Sequence, residues 1–200
     1  MPDYQALIQQ VCDQGWYYQQ NVLDPQWVSE LAALCHSRTF LQAGIGNGLK
    51  NIINESIRSD SISWIEKDEQ LPAICDYLGL VETIRQLLNR EFYLGLHDFE
   101  GHFSRYPSGA YYKPHYDCFA TDKRRAVTLI IYINQNWHPQ DGGQLCLHLP
   151  EGERLIEPVA GSVICFLSEQ ILHEVKPAHK ERMALTGWFI RNNGQDYYYS

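Results

Sequence analysis

From about Gly95 to Arg191 the chain breaks into short β-rich runs separated by Gly, Pro, Asn and Asp, and no other feature constrains its fold as strongly. The runs are Phe99–Tyr106, Tyr111–Asp117, Ala126–Asn134, Gln144–Leu149, Ser162–Leu167, Leu172–Lys176 and Met183–Arg191. Leu145, Leu147 and Leu149 alternate with Gln144, Cys146 and His148, the two-residue period of a half-buried strand. Ala126 to Ile133 is apolar on both faces and reads as a central strand. Seven or eight such strands predict a sandwich or a barrel.

The first 92 residues have a different texture and read as mostly helical. Leu7, Ile8, Val11 and Cys12 fall at helical spacing within Asp3–Asp13, and Gly15 is a stop. Asp24-Pro25 starts a second helix through Val28, Leu31, Leu34 and Cys35, the aspartate capping free N–H groups and proline fitting the first turn. Leu80–Arg90 is a third, with Val81, Ile84, Leu87 and Leu88 on one face. Arg38 to Asn54, with glycines at 44, 46 and 48, lacks the Gly-x-Gly-x-x-Gly spacing of a nucleotide loop and reads as a surface loop. Ser56–Glu66 reads as a strand carrying Ile57, Ile62 and Trp64. The expectation is one domain over 1–200: helical support and a loop in 1–92, a β core in 93–191, and a tail in 192–200 that includes Tyr197-Tyr198-Tyr199.

Charge narrows the partners. With 16 basic and 24 acidic residues the net charge is −8, which weighs against a phosphate-backbone binder, although Lys123-Arg124-Arg125 offers a local basic rim. No apolar run reaches the roughly 18 residues of a membrane span. Met1–Gln5 is polar and acidic, unlike a signal peptide, so a cytoplasmic protein is expected. Six cysteines without a CxxC pair read as buried, reduced thiols.

The chemistry concentrates in few residues. His115 and Asp117, two apart on an expected strand, project to one face. With His173 they supply two imidazoles and one carboxylate, the ligand set that leaves half of an octahedral metal open to substrates. A structural zinc site would want four closed ligands, usually with cysteine. Arg182 lies among apolar residues on a core strand and needs an anionic partner, either a structural carboxylate or a bound one. Tyr132 shares a strand face with Thr128 and Ile130, and its phenol also needs a partner. Together Arg182 and Tyr132 can hold the far carboxylate of a dicarboxylate. His97 to His102 reads as ordinary strand polar groups, one of them facing the pocket, and His36, His138, His148 and His179 read as solvated or capped.

An ordered set of segments carries a family resemblance. They are Ile57-Arg58-Ser59-Asp60 with Trp64, Tyr106-Pro107, His115-Tyr116-Asp117, Val127-Thr128 to Tyr132-Ile133-Asn134 with Trp137, Gly142-Gly143-Gln144-Leu145, Pro158-Val159-Ala160-Gly161 to Phe166, and His173-Glu174-Val175 to Arg182 and Trp188. The chain resembles the 2-oxoglutarate- and Fe(II)-dependent dioxygenases of the prolyl 4-hydroxylase superfamily, in particular the animal oxygen-sensing prolyl hydroxylases and their bacterial relatives. The resemblance implies a double-stranded β-helix, or jelly roll, with supporting N-terminal helices. It implies that His115, Asp117 and His173 ligate Fe(II), and that Arg182 and Tyr132 hold the 5-carboxylate of 2-oxoglutarate. Tyr106, Thr128, Leu145, Thr186 and Trp188 would complete that pocket. Arg58, Asp60 and Arg125 would border the substrate groove. The 38–54 loop reads either as a lid over the substrate or as an idle loop.

The reaction implied converts 2-oxoglutarate and O2 to succinate and CO2 while hydroxylating a prolyl residue at the 4-position, with ascorbate as a supporting reductant. The expected partner is a protein with an exposed prolyl loop, elongation factor Tu being one candidate, and the expected state is a monomer or weak dimer without nucleic acid or membrane. Three alternatives stay open: a free amino acid or other small molecule as substrate, an iron and 2-oxoglutarate sensor without turnover, and a nucleic-acid demethylase, against which the charge weighs.

Overall fold

The computed structural model describes residues 1–44, 54, 56–118 and 122–192. Residues 45–53 of the expected lid and 193–200 of the expected tail lie outside the described residues. Helix α1 spans Tyr4–Gln14, with the Asp3 carboxylate accepting from the Ala6 N–H at 3.0 Å and Gly15 closing it at φ 81°. Helix α2 spans Pro25–Ser37, and Asp24 accepts from the Trp27 N–H at 3.0 Å. Helix α3 spans Pro72–Phe92, 21 residues, nearly three turns longer than the expected Leu80–Arg90. Its buried face runs through Ala73, Ile74, Tyr77, Leu80, Val81, Ile84 and Leu88, and Gly79 interrupts that pattern in the sequence.

Eleven described strands form two sheets. They are β1 (Trp16–Gln19), β2 (Leu41–Gln42), β3 (Ser61–Trp64), β4 (Leu96–Tyr106), β5 (Tyr112–His115), β6 (Arg125–Tyr132), β7 (Leu145–Leu149), β8 (Gly152–Ile156), β9 (Val163–Leu167), β10 (Leu172–Val175) and β11 (Arg182–Arg191). The major sheet has the order β1-β9-β6-β11-β4-β3-β2, and the minor sheet has the order β5-β10-β7-β8. All of the pairings within the two sheets are antiparallel. This is the expected jelly roll with helical support.

Side-chain alternation sorts the chain into layers. On β6, Val127, Leu129 and Ile131 face the helices, whereas Ile130 and Tyr132 face the space between the sheets. On β11, Leu185 and Phe189 go to the helical side and Ala184 goes inward. Leu7, Leu31, Tyr77 and Ile84 complete the helical core, and each large aliphatic buried there contributes about 1.5–3 kcal/mol. The inner space, lined from the other side by Leu145, Leu147 and Val175, is where a site can form. Asn134 closes β6: its amide donates to Pro158 O (2.8 Å) and Met183 O (2.9 Å), and its carbonyl accepts from the Met183 N–H (2.6 Å). That clasp pins the start of β11, and with it Arg182, onto the sheet.

Several expectations need correction. The Ser56–Glu66 strand is ordered as a strand only over Ser61–Trp64. Tyr111–Asp117 contracts to Tyr112–His115, so Asp117 lies beyond the strand end and is not placed by alternation. Strands β1 and β8 were not expected: β8 is an edge strand whose Gly-Glu-Arg-Leu-Ile sequence buries only Ile156. Cys12, Cys35, Cys75, Cys146 and Cys165 are free thiols, yet only Cys35, Cys146 and Cys165 are buried, while Cys12 and Cys75 are exposed. No helix among the described residues is long and apolar enough to cross a membrane.

Gly187 on β11 is opposite Gly101 on β4. The Phe99 ring lies over both glycines, so a Cβ on Gly187 would meet that ring at 2.2 Å and the Glu100 carbonyl at 2.7 Å. Gly187→Ala is therefore expected to destabilise the fold by about 1–3 kcal/mol, the usual cost of overpacking, read as a lowered urea midpoint.

Candidate active site

Strand register brings the two histidines together. His173 on β10 is the cross-strand partner of His115 on β5, and their rings are 4.3 Å apart. The His115 Nδ1 lies 2.7 Å from the Lys113 carbonyl, and the His173 Nδ1 lies 3.0 Å from the Ile171 carbonyl. A carbonyl only accepts, so both Nδ1 atoms carry the proton and both Nε2 lone pairs are free to ligate. Each Nε2 faces Asp117: His115 Nε2 to Oδ1 is 3.5 Å and His173 Nε2 to Oδ2 is 3.6 Å. One donor atom from each of the three side chains lies within 4.8 Å of the others, a spacing that can hold a metal ion.

Asp117 is held from behind. The Thr128 hydroxyl donates to its Oδ2 at 2.7 Å and sits 2.8 Å from Ser168 Oγ. A hydroxyl has one hydrogen, so Ser168 donates to Thr128 and Thr128 donates to Asp117. Burial alone would raise the carboxyl's pKa, but the neighbouring His173 and His115 imidazoles and the hydrogen bond from Thr128 outweigh it and hold the carboxyl below its ordinary range. Burial lowers His173 to about 4, which keeps its imidazole neutral and available as a ligand at pH 7.

Arg182 closes the other end of the cavity. It is 2% exposed, its Nε donates to the Gly143 carbonyl at 2.8 Å, and its guanidinium lies over the Tyr106 and Tyr132 rings at 4.9 and 5.2 Å. Among the described residues no carboxylate lies within ion-pair distance of it. The Tyr132 hydroxyl is also buried without a hydrogen-bond partner. A buried cation beside an unpaired phenol suits an incoming carboxylate. The cavity between the metal-type cluster and Arg182 measures about 120 Å³.

Comparison with known proteins agrees with this geometry. Residues 101–190 match the 2OG-Fe(II) oxygenase superfamily. A crystal structure of a Pseudomonas putida prolyl-4-hydroxylase is 40% identical, with a TM-score of 0.86 over 95% of this chain and 100% of that one. The chain belongs to the 2OG-Fe(II) oxygenase superfamily. A Trichoplax adhaerens prolyl hydroxylase, solved with a hypoxia inducible factor peptide fragment, is 28% identical with a TM-score of 0.83 over 98% of this chain and 93% of that one. Human Egl nine homolog 1 is 33% identical over 152 residues, covering 70% of this chain and 35% of the human protein. The chain thus spans 35–44% of the length of the human, rat and mouse Egl nine relatives. The superfamily uses Fe(II), 2-oxoglutarate and O2, and the donor set, the unpaired guanidinium and the unpaired phenol fit those groups.

The expected residues of this oxygenase divide into wall and support. Tyr106, Leu145, Thr186, Trp188, Arg58 and Arg125 line the cavity with the three metal-type residues and Arg182. Thr128, Tyr132 and Asp60 lie behind the wall: Thr128 under Asp117, Tyr132 against Arg182, and Asp60 in a bidentate pair with Arg58 at 2.7 and 2.6 Å. The Arg58 guanidinium also lies 4.4 Å over the Tyr112 ring, which stacks on His115 at 3.5 Å. Arg125 sits 3.5 Å over the Trp188 ring, while Arg124 pairs with Asp122 and Lys123 faces Glu169, so the basic rim is offset by acids. Sequence reasoning missed Ser104, Tyr112 and Val175 as wall residues. Alternation along β4 was the available signal for Ser104, since His102, Ser104 and Tyr106 share a face.

His102 is the residue of the His97–His102 segment that turns inward. It is 2% exposed, packs between Trp64 (5.1 Å) and Trp188 (5.3 Å), and its Nδ1 has no partner. Burial, then the charges of Arg58 and Arg125, lowers its pKa from 6.5 to about 3. Between those values the unfolded chain binds a proton that the folded chain does not, so this residue makes stability fall as pH drops from 6.5 toward 3. His102→Gln is expected to flatten that acid limb, with a smaller loss of urea midpoint than the parent chain between pH 7 and pH 4.5. Parallel losses would contradict the neutral, buried imidazole.

Proposed function

We propose that the chain is a prolyl 4-hydroxylase acting on a prolyl residue in a protein, converting 2-oxoglutarate and O2 to succinate and CO2. The observation that carries this reading is the unpaired, buried Arg182 across a small cavity from His115, Asp117 and His173. The 40% identity to the Pseudomonas putida prolyl-4-hydroxylase across that whole chain supports the prolyl assignment. Iron and 2-oxoglutarate, when bound, would supply the oxidising power for an unactivated C–H bond, which side chains alone lack. His115, Asp117 and His173 would hold the iron, their donor atoms fixed by the Lys113 and Ile171 carbonyls and the Thr128 hydroxyl. Arg182 would grip the distal carboxylate of 2-oxoglutarate, with the Tyr132 hydroxyl as a second donor. The apolar walls of Leu145 and Val175 would keep water from that end.

The mouth of the cavity favours a peptide over a free amino acid. Trp64 and Tyr116 both line the cavity and remain 44% and 47% exposed, giving aromatic surface beyond the reacting centre. Arg58 and Arg125, each fixed by an acid and a ring, would orient the chain that crosses there. We take elongation factor Tu as the first substrate to assay, in a cytoplasmic setting, with the chain acting as one domain.

His173→Ala is expected to abolish substrate-dependent succinate formation and one-oxygen mass gain, and full turnover by that variant would refute the assignment. Arg182→Lys keeps the charge but loses the fork. Losing one of two charge-assisted bonds, at about 1.5–3 kcal/mol, predicts a rise in KM for 2-oxoglutarate of roughly 10- to 10²-fold, and an unchanged KM would contradict the placement. Hydroxylation of free proline at the rate of a prolyl peptide would contradict the protein-substrate reading.

A further inference from the structure

The strand alternation that turns His173 inward turns its neighbour Glu174 to the outer face of the minor sheet. Cys146 on β7 is the cross-strand partner of Glu174, and His148 on β7 is the cross-strand partner of Glu153 on β8. Cys146 and His148 are two residues apart on one strand, so all four side chains share the outer face by register alone. One donor atom from each lies within 4.8 Å of the others. His148, expected from sequence to be solvated or capped, is held by acids: its Nε2 is 3.1 Å from Glu174 Oε1 and its Nδ1 is 3.5 Å from Glu153 Oε1. Cys146 is fully buried beneath this group.

We propose that Cys146, His148, Glu153 and Glu174 form a second divalent-metal site of zinc type, on the outside of the sheet whose inner face carries His115 and His173. One thiolate, one imidazole and two carboxylates are a four-donor set, and the sulfur selects a borderline-soft ion such as Zn(II) or Co(II) over Mg(II) or Ca(II). Lys176 Nζ lies 2.7 Å from Glu174 Oε1 and 4.0 Å from Glu153 Oε2, so in the metal-free group it offsets part of the carboxylate charge. With a dication bound and the thiol ionised, two carboxylates and a thiolate leave one negative charge, which the same lysine neutralises. Burial raises the Cys146 thiol to about 11, so without a metal it remains protonated and inert as a nucleophile. A bound metal ion displaces that proton outright.

The inner cluster of His115, Asp117 and His173 contains no cysteine, so a sulfur-specific signal reports the outer site alone. Titrating the full chain with Co(II), anaerobically and with a thiol-free reductant, is expected to produce a thiolate-to-cobalt charge-transfer band in the near ultraviolet. It should saturate by two equivalents, because the inner cluster also takes the ion without giving this band, and Zn(II) should displace it. Cys146→Ala should remove the band, whereas Cys118→Ala should keep it. Glu174→Gln, which preserves shape, should weaken Co(II) binding at least as much as loss of an outer-shell partner does, roughly 10–100-fold. Absence of the band in the parent chain, or its survival in a folded Cys146→Ala protein, would overturn the proposal. If Cys146→Ala does not fold, an unweakened band in Glu174→Gln would overturn it equally.

Discussion

A guanidinium buried to 2% exposure, with no carboxylate beside it among the described residues, sets the terms for the rest of the structure. An uncompensated buried charge costs several kcal/mol. The fold bears that cost through the Gly143 carbonyl, two tyrosine faces and the Asn134 clasp at the start of β11. At the opposite end of the same cavity sits the reverse demand: Asp117 is held ionised between two imidazoles whose lone pairs converge on it. One end calls for a cation and the other for an anion. A small dicarboxylate whose other end chelates a metal answers both, which is the physical basis of the proposed reaction.

Precision at the metal-type cluster comes from backbone register. His115 and His173 are direct partners across β5 and β10, and backbone carbonyls fix which ring nitrogen faces inward. Asp117 lies past the end of its strand and is aimed by the Ser168–Thr128–Asp117 hydrogen-bond chain instead. Aromatic faces then stiffen the rim, with Tyr112 stacked on His115 and Trp188 under Arg125. The same register faces Glu174 and Cys146 outward, so a single minor sheet presents one donor cluster on each face.

Much of this was legible in the sequence. Period-two alternation over Leu145–Leu149 and the doubly apolar Ala126–Ile133 run located the sheet layers, because hydrophobic burial acts strand by strand. The three metal-type residues and Arg182 were also readable, although Asp117 was assigned for a reason that does not hold, since its strand stops two residues earlier. What failed depends on pairing. Edge strand β8 has almost no apolar signal of its own, and which acids hold His148 was hidden because Glu153 and Glu174 come from two other strands. Thr128 and Tyr132 fell on the right face, yet only tertiary packing decides that they stand behind the cavity wall.

The most direct measurement is a crystal grown and soaked anaerobically with Mn(II) and 2-oxoglutarate. The account predicts one ion bonded to His115 Nε2, the Asp117 carboxylate and His173 Nε2, with the far carboxylate of the dicarboxylate on Arg182 and the Tyr132 hydroxyl. An ion that omits any of those three side chains, or a dicarboxylate bound away from Arg182, would contradict it.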